Sequence, residues 1–251
     1  MIKQLRTAVT ERKATNARSD SLQTPLAIRL ACRLAAHRYN IDMTYTIVLG
    51  TNNRKKGVEL AELLASFDID VKTLKNFDRS IDVVEDGTTF QENARKKAAE
   101  QARFLGAWCI GEDSGLSVDA LDGAPGVYSA RFAALKSQEK ESENSSDDDN
   151  NRLLLEKLKD VPLEKRTAHY SCFAAVADPE GNIRGEAHGI CRGRILFEPA
   201  GNGGFGYDPL FEVVEYHKTF GVLSPAIKRA ISHRARAMRQ LIPVLLDLFK
   251  K

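Results

Sequence analysis

Residues 45–67 read YTIVLGTNNRKKGVELAELLASF, and this stretch decides the fold class. Tyr45–Leu49 is a short apolar run rich in β-branched residues, which reads as a strand. Thr51–Lys56 is a polar turn. Lys55–Phe67 then spaces Val58, Ala61, Leu64 and Phe67 at helical intervals, so a helix follows with those four on its inner side. A strand that turns directly into a helix is the opening of an α/β unit.

Outward from there the alternation continues. Asp70–Leu74 is a second short strand. Thr89-Phe-Gln-Glu92 is a capping box opening a helix that runs to about Leu105. Ala107–Gly111 is a buried strand. Arg166–Ala177 and Asn182–Ile190 flank Asp178-Pro-Glu-Gly181, the signature of a hairpin turn, and Gly193–Phe197 reads as a further strand. A final helix spans about Ser232–Phe249, with Ile231, Ala235, Met238, Ile242 and Leu245 as its apolar stripe. Pro243 is expected to bend or interrupt it. Helices and strands interleave first and strands dominate later, so the expected class is α/β with a mixed sheet flanked by helices.

Composition narrows the functional classes. The chain has 251 residues, 43% hydrophobic and 28% charged, within the range of an ordinary globular protein of one or two domains. No apolar stretch of about 18 residues occurs, which excludes a transmembrane helix. Cys32, Cys109, Cys172 and Cys191 lie far apart, with no CxxC motif, which points to a reducing, cytoplasmic setting. Aromatics make up 7%, too few for a stacking platform along single-stranded nucleic acid. The net charge of +3 is misleading, because residues 1–42 carry eight Lys/Arg against three Asp/Glu and leave the remainder slightly acidic. The body is therefore not a polyanion binder, and no stable nucleic-acid partner is expected.

Two segments differ in composition from the rest, one before the domain at 43–251 and one inserted within it. Residues 1–42 form a basic, weakly patterned arm, in which Pro25–Tyr39 has amphipathic spacing. A disordered arm, a targeting segment and upstream sequence before a true start at Met43 are the three readings, and composition favours a dispensable arm or a mis-chosen start. Residues 137–151 are acidic and almost free of apolar side chains, the composition of a solvated, mobile insertion.

Four clusters could carry chemistry. Thr51-Asn-Asn-Arg-Lys-Lys56 sits at a helix start, where backbone N–H groups and a lysine favour phosphate, without the glycines of a P-loop. Its bland alternative is a polar turn capped by Asn53. Glu85 with Glu112 and Asp113 offers carboxylates near a strand end, suited to Mg²⁺ and phosphate oxygens. Asp113-Ser-Gly115 is equally common as an Asx turn. Gly201-Asn-Gly-Gly-Phe-Gly-Tyr-Asp208 matches G-x-G-x-x-G formally, but Tyr207-Asp208-Pro209 follows instead of a helix start, so a bent loop presenting an aromatic is the better reading. Finally, Lys228 and Ser232-His-Arg234 put cations at a helix start, against the helix dipole, and a local rule broken in this way suggests a site.

In this order the clusters resemble the inosine triphosphate pyrophosphatase family. The resemblance runs from about Tyr45 to Phe249. It rests on Thr51, Asn53 and Lys56, Thr89–Ala94 with Lys97, Asp113-Ser-Gly115, Gly123-Ala-Pro-Gly126 with Tyr128–Arg131, Glu198-Pro-Ala200, Gly203–Pro209 and Ser232-His-Arg234. It implies two lobes around a central nucleotide cleft, usually in a homodimer. It implies Mg²⁺-dependent hydrolysis of ITP, dITP and XTP to the monophosphate and pyrophosphate, which cleanses the nucleotide pool.

By the same resemblance Thr51, Asn52, Asn53, Arg54, Lys55 and Lys56 hold the triphosphate, with Lys97 adding a phosphate contact. Glu85 and Asp113 bind the metal, and Asp113 accepts the proton of the attacking water. Ser114 touches substrate. Phe205, Gly206, Tyr207 and Asp208 frame the base, with Phe205 stacking, and Lys228, His233 and Arg234 complete the contacts. Three departures stand out. Asn52 replaces a usual glycine, which places it where positive φ is expected; Glu112 replaces a usual Asp; and the arm and the acidic insertion are extra. A Maf-type pyrophosphatase acting on modified pyrimidine nucleotides and a nucleotide- or RNA-binding module are the competing functions.

Overall fold

The structure is a computed structural model, and it describes residues 45–67, 69–137 and 144–249. The basic arm 1–42 and residues 138–143 of the acidic insertion lie outside the described residues. Seven strands form one sheet in the order β2-β1-β3-β4-β5-β6-β7. Their spans are β1 Tyr45–Leu49, β2 Ile69–Thr73, β3 Cys109–Val118, β4 Thr167–Ala177, β5 Ile183–Ile195, β6 Phe211–Val213 and β7 Lys218–Thr219. β1 pairs in parallel with β2 and with β3, and every later pairing is antiparallel. The sheet is therefore mixed, and the fold is α/β as expected.

Among the described residues five helices of seven residues or more accompany it: α1 Arg54–Leu64, α2 Phe90–Leu105, α3 Asp147–Lys157, α4 Pro225–Ile231 and α5 His233–Phe249, with one further turn of helix at Ala134–Ser137. α1 and α5 share one face, where Leu60 and Leu64 meet Ile47, Leu49, Met238 and Leu241. α2 covers the other, with Ala94, Ala98 and Ala102 on Val48, Cys109 and Ala175. A third cluster around Leu154, Tyr170, Phe211 and Phe220 packs α3 against β3–β6.

The β1-to-β2 connection through α1 and the β2-to-β3 connection through α2 lie on opposite faces, and β2 and β3 flank β1, so the sheet has a topological switch between β1 and β3, the usual place for a ligand crevice. β1 pairs only with Cys109 and Ile110 of β3. The remainder of β3 runs on past the end of β1, pairing with β4. A cleft opens along that uncovered edge.

Two glycines let helices approach the sheet. A Cβ on Gly111 would lie 2.3 Å from the Ala94 carbonyl oxygen, and one on Gly189 would lie 2.1 Å from that of His233. α2 and α5 thus press backbone to backbone on β3 and β5.

Several expectations are corrected. The strand expected over Ala107–Gly111 runs further, from Cys109 to Val118, and carries Asp113-Ser-Gly115 in its middle, with Asp113 opposite Phe173 and Gly115 opposite Ser171, which sets aside the Asx-turn alternative. Asn182–Ile190 and Gly193–Phe197 are not separate strands, since β5 runs unbroken from Ile183 to Ile195, and Gly193 pairs with Ala168. The buried side of α1 is Gly57, Leu60 and Leu64, whereas Val58 is 51% exposed. The helix is seated by contact with α5, which selects a stripe rotated from the one with the most branched residues.

Pro243 does not interrupt α5; it sits on the exposed side, where the carbonyl it leaves unbonded can face water. The end of the acidic insertion is ordered. Ser146 caps α3 through the Asp149 N–H, Asp147–Asp149 fill its first turn, and Asn150 is buried. Negative charge at a helix start is stabilised by the dipole, so the same residues that read as solvated begin a helix.

Candidate active site

The cleft holds a cavity of about 320 Å³, in the range of small-molecule sites. Thr51, Asn52, Asn53, Lys56, Glu85, Lys97, Asp113, Ser114, Phe205, Gly206, Tyr207, Asp208, Lys228, His233 and Arg234 all line it. Arg54 and Lys55 do not; both are exposed on the first turn of α1. Lys55 reaches the cavity rim instead, 3.7 Å from Asp147 and 5.5 Å above the Phe205 ring.

One wall is the loop after β1. The Asn53 side chain caps α1 by accepting from the Lys56 N–H at 3.1 Å, and the Thr51 hydroxyl oxygen accepts from the Asn53 N–H at 3.1 Å. These two turns point the start of α1 into the cleft. Asn52 does not adopt positive φ; among the described residues only Asp122 and His217 do so outside glycine. Its amide instead donates to Asp82 at 2.9 Å.

The floor is β3, whose alternation sends Asp113 and Glu112 to opposite faces of the sheet. The expected trio of carboxylates is therefore divided. Asp113 faces α2, where the Asn93 amide donates to it at 3.1 Å and the Lys97 ammonium at 3.2 Å. The same ammonium donates to Glu85 at 2.9 Å. Asn93 was not anticipated as a site residue. Its signal was present, since Asn93 and Lys97 stand i, i+4 on one helix face.

Burial pushes the Asp113 carboxyl up from its ordinary value, and repulsion from Glu85 and Glu112 adds to this, against the pull of Lys97 and Lys56. Lys97 is also buried, which disfavours its charge, but Asp113, Glu85 and Glu112 around it hold its pKa above the usual value. The set can thus keep one cation between two carboxylates and leave Asp113 a basic oxygen.

Glu112 faces α1 and α5. It is fully buried, and Arg234 donates to it through Nε at 3.2 Å, with a terminal guanidinium nitrogen 3.1 Å from the same oxygen. Lys56 stands 3.1 Å from its other oxygen. Burial alone would raise its pKa, but Arg234, Lys56 and Lys97 hold it well below the carboxylate range. Arg234 also bonds Glu59 and donates to Ser114 at 3.0 Å. The cations at the start of α5 are therefore not solvated; buried acids offset their conflict with the dipole.

The opposite wall is the glycine-rich loop. Asp208 accepts from Lys228 at 2.7 Å and from the Phe205 N–H at 2.8 Å. Lys228 lies 4.6 Å over the Phe205 ring and 3.0 Å from Glu59. Tyr207 is buried and donates its hydroxyl to the Ser129 carbonyl at 2.9 Å, so only Phe205 offers an aromatic face. Gly206 is clamped by α3: its N–H donates to Asp147 at 2.9 Å, and its carbonyl accepts from Asn151 at 3.1 Å. His233 is buried, stacks on Tyr170 with ring centroids 4.7 Å apart, and has an Nδ1 without a hydrogen-bond partner. Burial, with Arg234 beside it, depresses its pKa well below the ordinary histidine value, so the ring is neutral.

The match to known proteins follows this geometry. The Ham1 family pattern covers residues 47–244, from β1 through most of α5. The chain belongs to the Ham1 family. It is 53% identical over 208 residues to the dITP/XTP pyrophosphatase of Rhodopirellula baltica, covering 83% of this chain and 96% of that protein. It is 47% identical over 203 residues to the dITP/XTP pyrophosphatase of Desulforamulus reducens, covering 81% and 96%. The solved HAM1 structure from Coxiella burnetii superposes with a TM-score of 0.71 at 36% identity, covering 81% of this chain and all of that one. Among the described residues, no helix is long and apolar enough to cross a membrane.

Proposed function

We propose that this Ham1-family protein hydrolyses dITP, ITP and XTP between the α and β phosphates, with Mg²⁺, to the nucleoside monophosphate and pyrophosphate. The observation that carries the reading is the Lys97 ammonium, held at 2.9 Å from Glu85 and 3.2 Å from Asp113 on the cavity wall facing the Thr51–Lys56 loop. The relatives' names give the substrate class. Their membership of one family with this chain disfavours the Maf-type and pure binding alternatives.

The metal fits the residues present. No group of three metal-binding side chains gathers among the described residues. Two hard carboxylates that already flank one cation suit an ion that takes one or two carboxylates and shares phosphate oxygens. When bound there, Mg²⁺ supplies charge neutralisation on the phosphates. Glu85 and Asp113 would hold it. Lys56, with the start of α1, meets the negative phosphates. Asp113, raised by burial and steadied by Asn93, takes the proton of the water that attacks the α phosphorus, and pyrophosphate leaves.

Base selection rests on the far wall. Phe205 stacks on the purine. His233 is neutral, and in its Nδ1–H tautomer it offers a donor to a 6-oxo group. Adenine presents a 6-amino donor there, and mispaired buried donors can discriminate by about 10⁴-fold. The Arg234 guanidinium is engaged with Glu112, Glu59 and Ser114, so its part is to hold the wall.

The homodimer and a cytoplasmic location belong to the same proposal. Cys109, Cys172 and Cys191 are free and buried, as suits a reducing compartment. Light scattering in solution checks the dimer. The activity is tested by incubating the protein with ITP, dITP, XTP, ATP, GTP, UTP and dTTP, with Mg²⁺ and with chelator, and identifying products. Pyrophosphate from the first three with Mg²⁺ is the expected result. Orthophosphate release, or turnover of UTP in preference to ITP, contradicts the proposal.

A further inference from the structure

The segment 77–88, between β2 and α2, has no regular secondary structure, yet it carries Ile81, Asp82, Val83 and Glu85 into the cavity lining. Such a strap must be tied down to hold a carboxylate at a fixed distance. On its α2 side, the Ile81 carbonyl accepts from Gln101 at 2.6 Å, Asp86 pairs with Lys96 at 2.7 Å, and Glu85 pairs with Lys97. The Glu85 carbonyl accepts from Arg131 at 3.3 Å. None of these reaches the phosphate-facing loop across the cleft. Asn52 does, through its donation to Asp82 at 2.9 Å, thirty positions along the chain.

We propose that Asn52 and Asp82 form a latch that fixes the spacing between the Thr51–Lys56 loop and the strap bearing Glu85. Asn52 is a positioning residue for metal–triphosphate binding. The inference rests on the proposed roles of that loop and of Glu85. The pair is suited to the task. The loop is anchored at its base, with the Gly50 N–H donating to the Ile110 carbonyl at 2.8 Å. A neutral amide donating to a carboxylate also draws on charge that otherwise faces an incoming polyphosphate.

The test combines kinetics with exchange. Asn52→Gly and Asp82→Ala each break the latch, whereas Asp82→Asn keeps a carbonyl acceptor and should largely rescue. Each breaking variant should raise KM for Mg·ITP and the half-saturating Mg²⁺ concentration by about fivefold, the scale of one exposed hydrogen bond to a charged group, with kcat nearly unchanged. The double variant should be no worse than either single one.

Hydrogen exchange of the strap amides, measured on the free protein without nucleotide, should quicken in Asn52→Gly. That readout stands even if ITP is not the substrate, so failure of the latch and failure of the activity are separable. Unchanged strap exchange in Asn52→Gly, or losses that simply add in the double variant, overturns the latch. Additive losses would make Asn52 a direct ligand contact instead.

Discussion

At the residue scale, the site sets each side chain's task by what surrounds it. Asp113 and Glu112 are neighbours in sequence, yet one has a raised carboxyl and the other a strongly lowered one. The pleat puts the first among carboxylates and an amide, and the second between Arg234 and Lys56. Asp113→Asn should therefore lower kcat by about 10²–10⁴-fold, the usual worth of a general base, while nucleotide binding measured by calorimetry persists. Lys97→Met leaves two carboxylates without their shared cation. Chemical denaturation at pH 8 without metal should show a loss of about 3 kcal/mol, shrinking at lower pH as Asp113 takes up a proton. Phe205→Ala should raise KM for ITP about tenfold through lost stacking and leave kcat nearly intact.

At the scale of elements, the capping box at Thr89 was legible because its signal is local. Its Glu92 carboxylate accepts from the Thr89 N–H at 3.2 Å, and the Thr89 hydroxyl oxygen accepts from the Glu92 N–H at 3.1 Å. What the pattern did not reveal was how closely α2 lies on β3. Gly111 sits under that helix against the backbone of Ala94 and Ala98, the residues next to Asn93 and Lys97. Gly111→Ala should push α2 outward, costing about 1–3 kcal/mol in urea denaturation and lowering turnover as both side chains shift from Asp113. The continuity of β3 through Asp113-Ser-Gly115 was likewise not legible. A turn tripeptide becomes a strand when a long neighbour such as β4 offers it ten paired positions.

At the scale of the whole molecule, burial of the neutral His233 links stability to pH. Its folded pKa is depressed, so the unfolded chain binds a proton near pH 6.5 that the folded chain does not. The His233 contribution is complete above that pH and is lost as pH falls below it, by about 1.4 kcal/mol per pH unit. His188, also lowered by burial, adds in the same sense. Urea midpoints between pH 7 and 5 should decline, and His233→Gln should remove its share of the slope.

The sequence by itself determined the α/β class, the chain order of the four clusters and their resemblance to one family of pyrophosphatases. Each of those is written in local periodicity, capping and motif, which act over a few residues. Only the tertiary structure decided that Glu112 turns away from Glu85 and Asp113, that Arg54 and Lys55 stay outside the cavity, that the acidic insertion ends as a helix clamping Gly206, and that Asn52 reaches Asp82. These depend on which face of a strand or helix meets which neighbour. That choice is made by packing between elements tens of residues apart, where no local signal extends.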